Sequence, residues 1–295
     1  MMQYFKLKFT NTTPQKLGRF LLKNGFSKRV ITNSNHHGGM ILVNHKRRYT
    51  SYTLHKNDEV IFLLGKEKEN QWLKPSSRPI DIILEEHDYL IVNKSAGVLS
   101  IPSRYEDNDA LVNRVLYYFR KQNFNDLKPH IITRLDRDTS GLVLIGKNPV
   151  AQARFSSLGK DNMVKKYHAI VHGNFSKDKL QGRIDKPIGK KDDTVKRYII
   201  SGGQKSITDY RVIDQKDDAA LVELRLLTGR THQIRVHMQS IGHPLYGDPL
   251  YGLDDEFGRQ ALNCWLLEYE DPFTKKNKKI TISDPTDMNN LWKNL

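Results

Sequence analysis

Apolar residues recur at helical spacing almost from the start of the chain. In "PQKLGRFLLKNG", residues 14–25, Leu17, Phe20 and Leu21 fall on one face, with Lys16, Arg19 and Lys23 on the wet side. Gly25 can end that helix, and Ser27 can cap a second one over "KRVITNSNHH", which carries Lys28 and Arg29. "MILVNHKRRYT" then reads as a strand, a turn and a basic flank that includes Lys46, and "DEVIFLL" as a closing strand. The stretch "GKEKENQWLKPSSRP" is polar, charged and proline-containing, which is linker composition. The pattern divides the chain into residues 1–65, a linker at 66–79, and a larger domain at 80–295.

Past the linker, strand patterns dominate. "DIILEEHDYLIVNKSAG" gives two strands around an acidic turn, the second ending at Lys94. "LVLIGKN", "KKYHAIVHG" and "ALVELRLLTG" read as strands, while Leu111, Val115, Leu116 and Phe119 mark a helix. In "THQIRVHMQSIG", Ile234, Met238 and Ile241 recur at helical spacing. A helix capped by Thr231 and ending at Gly242 would place His232, Arg235 and Gln239 on one face. Strands outnumber helices, so the expected class is α+β with a mixed, largely antiparallel sheet.

Charge narrows the partner. The formal net charge is +15, and the first 65 residues hold eleven Lys/Arg against Asp58 and Glu59, a net +9. Less than a quarter of the chain therefore carries most of the excess, which calls for a polyanion. Nucleic acid fits best, since no Trp-anchored basic amphipathic helix supports a membrane surface. One cysteine, Cys264, allows neither an intrachain disulfide nor a cysteine zinc site. The opening "MMQYFKLKFTNTTPQ" lacks the apolar core of a secretory signal, and no apolar run reaches the length of a membrane span. The expectation is a cytoplasmic monomer.

The chemistry concentrates in three stretches. "ITRLDRDTSGL", residues 132–142, crowds two arginines and two aspartates into a polar turn. Alone it could be a solvated surface turn, because short polar side chains bond their own backbone there. "KKYHAIVHG" alone could be an ordinary strand, and "TGRTHQIRVH" a basic helix face. Their order and spacing together resemble the RluA-type family of RNA pseudouridine synthases. The match rests on Arg134-Leu135-Asp136, Thr139-Ser140-Gly141-Leu142, Lys166-Tyr167, Thr228-Gly229-Arg230, His232-Gln233-Ile234-Arg235 and His237. "GHPLYGDPLYG", residues 242–252, also fits. The first 65 residues resemble the S4 RNA-binding domain through Gly39, Ile41, Val43, Asn44, Lys46 and the "NDEVIFLL" strand. Two positions depart from the family pattern: Thr133 stands where histidine is usual, and Ser95 follows Lys94 where proline is usual.

The resemblance implies a pseudouridine synthase catalytic fold, α+β, preceded by a small S4-like domain. It implies isomerisation of uridine in structured RNA, ribosomal or transfer, with the large ribosomal subunit favoured. Asp136, Tyr167 and Arg235 would form the reaction centre, and Arg134, Lys166, Arg230 and His232 would face the substrate. Lys16, Arg19, Lys23, Lys28, Arg29 and Lys46 would contact RNA. A carboxylate beside the sugar can attack C1′, add to the base ring or remove a ribose proton, and each route needs Asp136 ionised. Nothing is oxidised, so no cofactor is expected. His36-His37 and His232/His237 lack acidic or thiol co-ligands at zinc spacing, so no metal is expected either. Two other functions compete. Glycosidic cleavage without rejoining would need a second positioned acid. The other competitor is an inactive S4-type RNA-binding protein.

Overall fold

The computed structural model describes residues 3–67, 71–103, 108–124, 128–159, 162–191 and 194–295. Among them no helix is long and apolar enough to cross a membrane. The first unit contains Tyr4–Lys8 (β1), Leu17–Lys23 (α1), Lys28–His36 (α2), Met40–Val43 (β2), Lys46–Arg47 (β3) and Glu59–Leu63 (β4). Its sheet runs β1-β4-β2-β3, antiparallel throughout. Leu17, Phe20, Leu21, Val30 and Ile31 pack on Ile41, Val43, Val60 and Phe62. The helix pattern places these side chains inside and leaves Lys16, Arg19, Lys23, Lys28, Arg29 and Lys46 exposed. The Ser27 hydroxyl accepts the Val30 amide, as its capping position predicts.

The turn between β2 and β3 puts Asn44 and His45 at φ 49° and 64°, the left-handed conformation a two-residue hairpin demands. Asn44 is fixed there by its amide, which donates to Asp58, while its Oδ1 accepts the Glu59 amide. The acid before the closing strand is thus a turn clamp. Strand β1 has no counterpart in the sequence reading, because only Phe5 of its five residues is buried.

The larger unit holds a ten-stranded sheet. Its long strands are Asp81–Glu85 (β5), Tyr89–Lys94 (β6), Ser140–Gly146 (β7), Met163–His172 (β8), Gln181–Asp185 (β9), Ile207–Lys216 (β10), Ala219–Leu226 (β11), Leu262–Glu270 (β12) and Asn277–Thr281 (β13). Their order is β9-β10-β11-β8-β12-β7-β6-β5, with β13 added on β12 and the short strand His130–Ile131 on β7. All pairings are antiparallel except β7 with β12, so the sheet is mixed and largely antiparallel. Leu111–Lys121 (α3), Pro149–Ser157 (α4), Gln233–Gln239 (α5) and Thr286–Asn294 (α6) complete the unit. Leu90–Val92, Leu142–Ile145, Val222 and Leu224 are buried at the middle of the sheet, with Val115 and Phe119 of α3 in the same core.

The two units meet through Arg154 of α4. Its guanidinium lies over the rings of Phe5, Phe26 and Phe273, at 5.5, 5.4 and 4.6 Å, and its Nε donates to the Asn24 carbonyl. A Cβ at Gly25, which sits at φ +80°, would come within 2.5 Å of the Arg154 side chain, so this joint also depends on glycine. Val150 is buried in the first unit's core. The stretch between the units is held along the larger one as well. Lys128 donates to the Glu67 carbonyl, His130 pairs with the Glu67 carboxylate, and Asn113 donates to the Lys74 carbonyl.

Removing residues 1–65 would bare Val150 and Phe273 and strip Arg154 of two of its three rings. We expect a loss of roughly 3 kcal/mol from the two apolar side chains. That is a fall of about 6–12 °C in Tm for a domain of this size. The log-log salt slope of RNA affinity should flatten by about 2 to 3.5 if three to five phosphate contacts leave with the segment. Thermal melts and salt titrations of residues 66–295 beside the full chain test both; equal Tm would show the joint to be energetically idle.

Candidate active site

Asp136 sits in the loop that feeds directly into β7, and the loop is pinned from three sides. Ser100 Oγ donates to the Leu135 carbonyl and accepts the Leu135 amide. The buried Thr133 hydroxyl accepts the Leu144 amide. Lys94, at the end of β6, donates to the carbonyls of Ser95, Val98 and Arg137. Burial pulls the Lys94 ammonium down to about 7, against the attraction of Asp138 and Asp136. Three carbonyl acceptors use all three ammonium protons, so the geometry is that of the charged form. After the loop, Gly141 stands at φ +115°, where a Cβ would lie 2.4 Å from the Cys264 carbonyl oxygen. Only glycine allows β7 and β12 to approach this closely at their parallel contact.

Arg137 forks onto its neighbour Asp138 at 3.1–3.2 Å, which leaves Asp136 to a different arginine. Arg235 Nη1 lies 3.5 Å from Asp136 Oδ2. Its bidentate fork goes elsewhere: Nε and Nη2 donate to the two oxygens of Asp248 at 2.6 and 2.7 Å. Burial works against the Arg235 charge, but the bonds to Asp248 and the fields of Asp248 and Asp136 outweigh it and raise its pKa. Asp248 also accepts the Leu250 and Tyr251 amides, and its side chain is wholly buried. Asp248 lies in the "GHPLYGDPLYG" stretch, where no local signal assigns it this role.

Helix α5 differs from its expected form. Thr231 does not cap it; the capping position is His232, in left-handed backbone at φ 57° with no side-chain cap. Of the three residues expected on one face, Arg235 is buried, His232 partly buried and Gln239 exposed. Gln233 anchors the helix instead. It accepts from the Thr228 hydroxyl and the Arg230 amide and donates to the Ile207 carbonyl and the Thr208 hydroxyl. His237 is a structural pin between the Thr208 hydroxyl and the Lys186 carbonyl. The His232 Nε2 atom is 4.0 Å from Asp136, and its Nδ1 is 3.0 Å from the Tyr251 hydroxyl. Burial, with Arg235 and Arg197, lowers the His232 pKa despite the pull of Asp136, so the ring is neutral at pH 7.

Tyr167 lies on β8 opposite a bulge in β12. Lys166 pairs with Leu266 and His168 with Asn263, so Cys264 and Trp265 together face Tyr167. The Tyr167 hydroxyl and the Cys264 thiol are close enough to shift one another's titration. Burial holds the tyrosine far above its ordinary pKa and pushes the thiol up to about 12. Both stay protonated at neutral pH. Strand alternation puts Lys165 with Tyr167 on the cavity side, and Lys166 on the far side, 3.0 Å from Glu223. The expected substrate-side lysine, Lys166, is thus turned away and Lys165 stands in its place.

These groups line a cavity of about 650 Å³. Asp136, Tyr167, His232 and Arg235 meet there, with Arg134 and Arg230 exposed at its rim. Among the described residues lining it, Asp136 is the one carboxylate, against the cations Arg134, Arg137, Lys165, Arg230 and Arg235. The described residues therefore do not build a two-acid glycosidase site here. Among the described residues no three His, Cys, Asp or Glu side chains converge as a metal site, and the His36 side chain lies outside them.

Residues 88–240, just over half of the chain, match the RNA pseudouridylate synthase family. The chain belongs to that family. It is 38% identical over 272 residues to the uncharacterized RNA pseudouridine synthase YjbO of Bacillus subtilis, covering 91% of this chain and 95% of that one. It is 36% identical over 239 residues to the ribosomal large subunit pseudouridine synthase D of Zymomonas mobilis, covering 75% and 74%. The solved human RNA pseudouridylate synthase domain containing 1 superposes with a TM-score of 0.58 at 26% identity, over 71% of this chain and 85% of that one. As an RNA pseudouridine synthase, the enzyme breaks the bond between N1 and C1′ of a uridine, turns the base and rejoins it through C5. In this member of the family, the two departures from the usual pattern leave the loop anchored, by the Thr133 hydroxyl and by the Lys94 ammonium on the Ser95 carbonyl.

Proposed function

We propose that this RNA pseudouridine synthase modifies uridine in large-subunit ribosomal RNA in the cytoplasm, with ionised Asp136 as the essential carboxylate. The observation that carries the reading is Asp136 as the one acid among the described residues of the cavity, 3.5 Å from an arginine that a second carboxylate already orients. The role of Arg235 is to hold the charge of Asp136 beside the sugar, and Asp248 holds Arg235. A base inside a helix is out of reach, so the nucleotide must leave the stack before it enters this cavity. Tyr167 then lies against the extruded ring. Exposed Arg134, which makes no hydrogen bond or ion pair with the described residues, enters the gap left behind, where a guanidinium stacks on neighbouring bases. Lys165, Arg230 and neutral His232 complete the substrate-facing wall.

The first 65 residues act as an S4-like RNA grip through Lys16, Arg19, Lys23, Lys28, Arg29 and Lys46. Phosphate contacts of this kind position the RNA without reading its sequence. The chain brings Asp136, Tyr167, His232 and Arg235 together by itself, in keeping with action as a monomer. The large-subunit assignment draws on the similarity to proteins named for that substrate.

Cellular RNA from a strain lacking the protein, incubated with the purified chain and mapped by carbodiimide chemistry, tests the reading. New pseudouridine should fall in large-subunit ribosomal RNA; modification confined to transfer RNA would move the substrate, and binding with no modification would favour the inactive binder. Tyr167→Phe keeps the ring and removes the hydroxyl, the neutral proton carrier nearest Cys264. We expect turnover to drop by about 10²-fold with affinity kept, the scale of a lost proton transfer. Near-normal single-turnover rates would leave Tyr167 as a stacking surface alone.

A further inference from the structure

The catalytic cavity continues into a trough that the reaction itself does not need. Ile101, Ile131 and Arg134 wall the cavity on one side and a second recess, of about 550 Å³, on the other. His130 and Gln152 wall that second recess and also a third, of about 700 Å³, between α2 and α4. Three recesses thus follow one another through shared walls, from Asp136 to the basic helix pair.

The chemistry changes along the way. The middle recess is lined by Trp72, Leu73, Ile101 and Pro102 beside His130, Arg134 and Gln152, and Trp72 is 87% exposed. A tryptophan that open to water is not placed by core packing, and exposed apolar surface rimmed by polar residues marks an interaction site. The far recess brings exposed cations in place of the exposed aromatic ring. Arg29 and Lys66 stand exposed at it, while its acid, Glu67, is engaged by His130.

We propose that this trough is the path of single-stranded RNA flanking the target uridine, with Trp72 as a base-stacking platform and Arg29 and Lys66 as phosphate contacts. The proposal rests on the RNA pseudouridine synthase reading and extends it to the strand beyond the reacting nucleotide. A single strand offers bare base faces to an aromatic platform and phosphates to cations, in alternation. A duplex keeps its bases stacked inside and offers no base face to Trp72. Continuity with the cavity at Arg134 lets the extruded nucleotide and its neighbours occupy one uninterrupted surface.

Intrinsic fluorescence of the full chain tests this, because Trp72 is one of only three tryptophans, with Trp265 and Trp292. The probes are an oligouridylate of about 12 nucleotides, within the span of single-strand grooves, and a blunt RNA duplex of equal length. The oligouridylate should quench the wild-type chain. Trp72→Phe should lose the quench but keep most of the affinity, and Trp72→Ala should weaken binding about 5- to 150-fold, the worth of one stacked base. A quench that persists in Trp72→Phe, an unchanged affinity in Trp72→Ala, or equal Trp72-dependent binding of the duplex would each overturn the proposal. Trp72-dependent oligouridylate binding by a chain that modifies no uridine would support the trough while removing the proposed function.

Discussion

Asp136→Asn is expected to abolish pseudouridine formation while RNA affinity stays within a few-fold. The substitution keeps the shape of the side chain and its capacity for hydrogen bonds, and removes only the charge. Attack on C1′, addition to the ring and removal of a ribose proton all use that charge, so no route survives its loss. No other carboxylate among the described cavity residues can substitute. We expect a loss of about 4 kcal/mol or more in transition-state stabilisation, ~10³-fold in rate. Binding should persist because the surrounding cations, Arg134, Lys165 and Arg230, remain. If Asp136→Asn kept about a tenth of the wild-type rate, the essential carboxylate would have to be sought elsewhere.

The second large effect separates an arginine from the acid behind it. Arg235→Lys keeps a positive charge but loses the planar fork that grips Asp248 through two nitrogens and still presents Nη1 to Asp136. An ammonium cannot serve both carboxylates in that geometry. Activity should fall by about 10²- to 10³-fold, the range for removing one preorganised electrostatic donor. Asp248→Asn acts one step further back. It leaves Arg235 buried beside a partly exposed Asp136 without its main counter-charge, and breaking a buried pair from one side costs about 3–5 kcal/mol. The asparagine variant should therefore lose both stability and activity, whereas the lysine variant should lose mainly activity. Denaturant unfolding beside single-turnover rates distinguishes them. Equal stability of Asp248→Asn and wild type would mean that Arg235 does not depend on Asp248.

What the sequence revealed and what it hid follow the range of the interactions involved. The helix pair was legible because Leu17, Phe20 and Leu21 declare a face within one turn, and Ser27 caps three residues ahead. The Asp136 loop was legible as a motif, because Arg134, Thr139, Ser140 and Gly141 lie within a few positions of the carboxylate, whereas its pins Ser100 and Lys94 are remote in sequence and were not read. Strand β1 was not, since a five-residue edge strand with one buried side chain carries almost no periodic signal. Asp248 stood in a quoted motif, yet nothing local links it to Arg235 thirteen residues earlier; the link is made by the fold. The choice between Lys165 and Lys166 turns on which face of β8 meets the cavity. Alternation would have paired Lys165 with Tyr167, had Tyr167 been taken as the reference. The joint at Arg154 was invisible, because its three aromatic partners come from residues 5, 26 and 273.

The central claim is that Asp136 drives an isomerisation, in which C5 of the uridine trades its hydrogen for the bond to C1′. RNA labelled with tritium at C5 of uridine reports that exchange directly when incubated with the wild-type chain and with Asp136→Asn. The account predicts tritium release by the wild type in equal number to new pseudouridines, with no free uracil, and none by the variant. Free uracil and abasic sites without tritium release would contradict it.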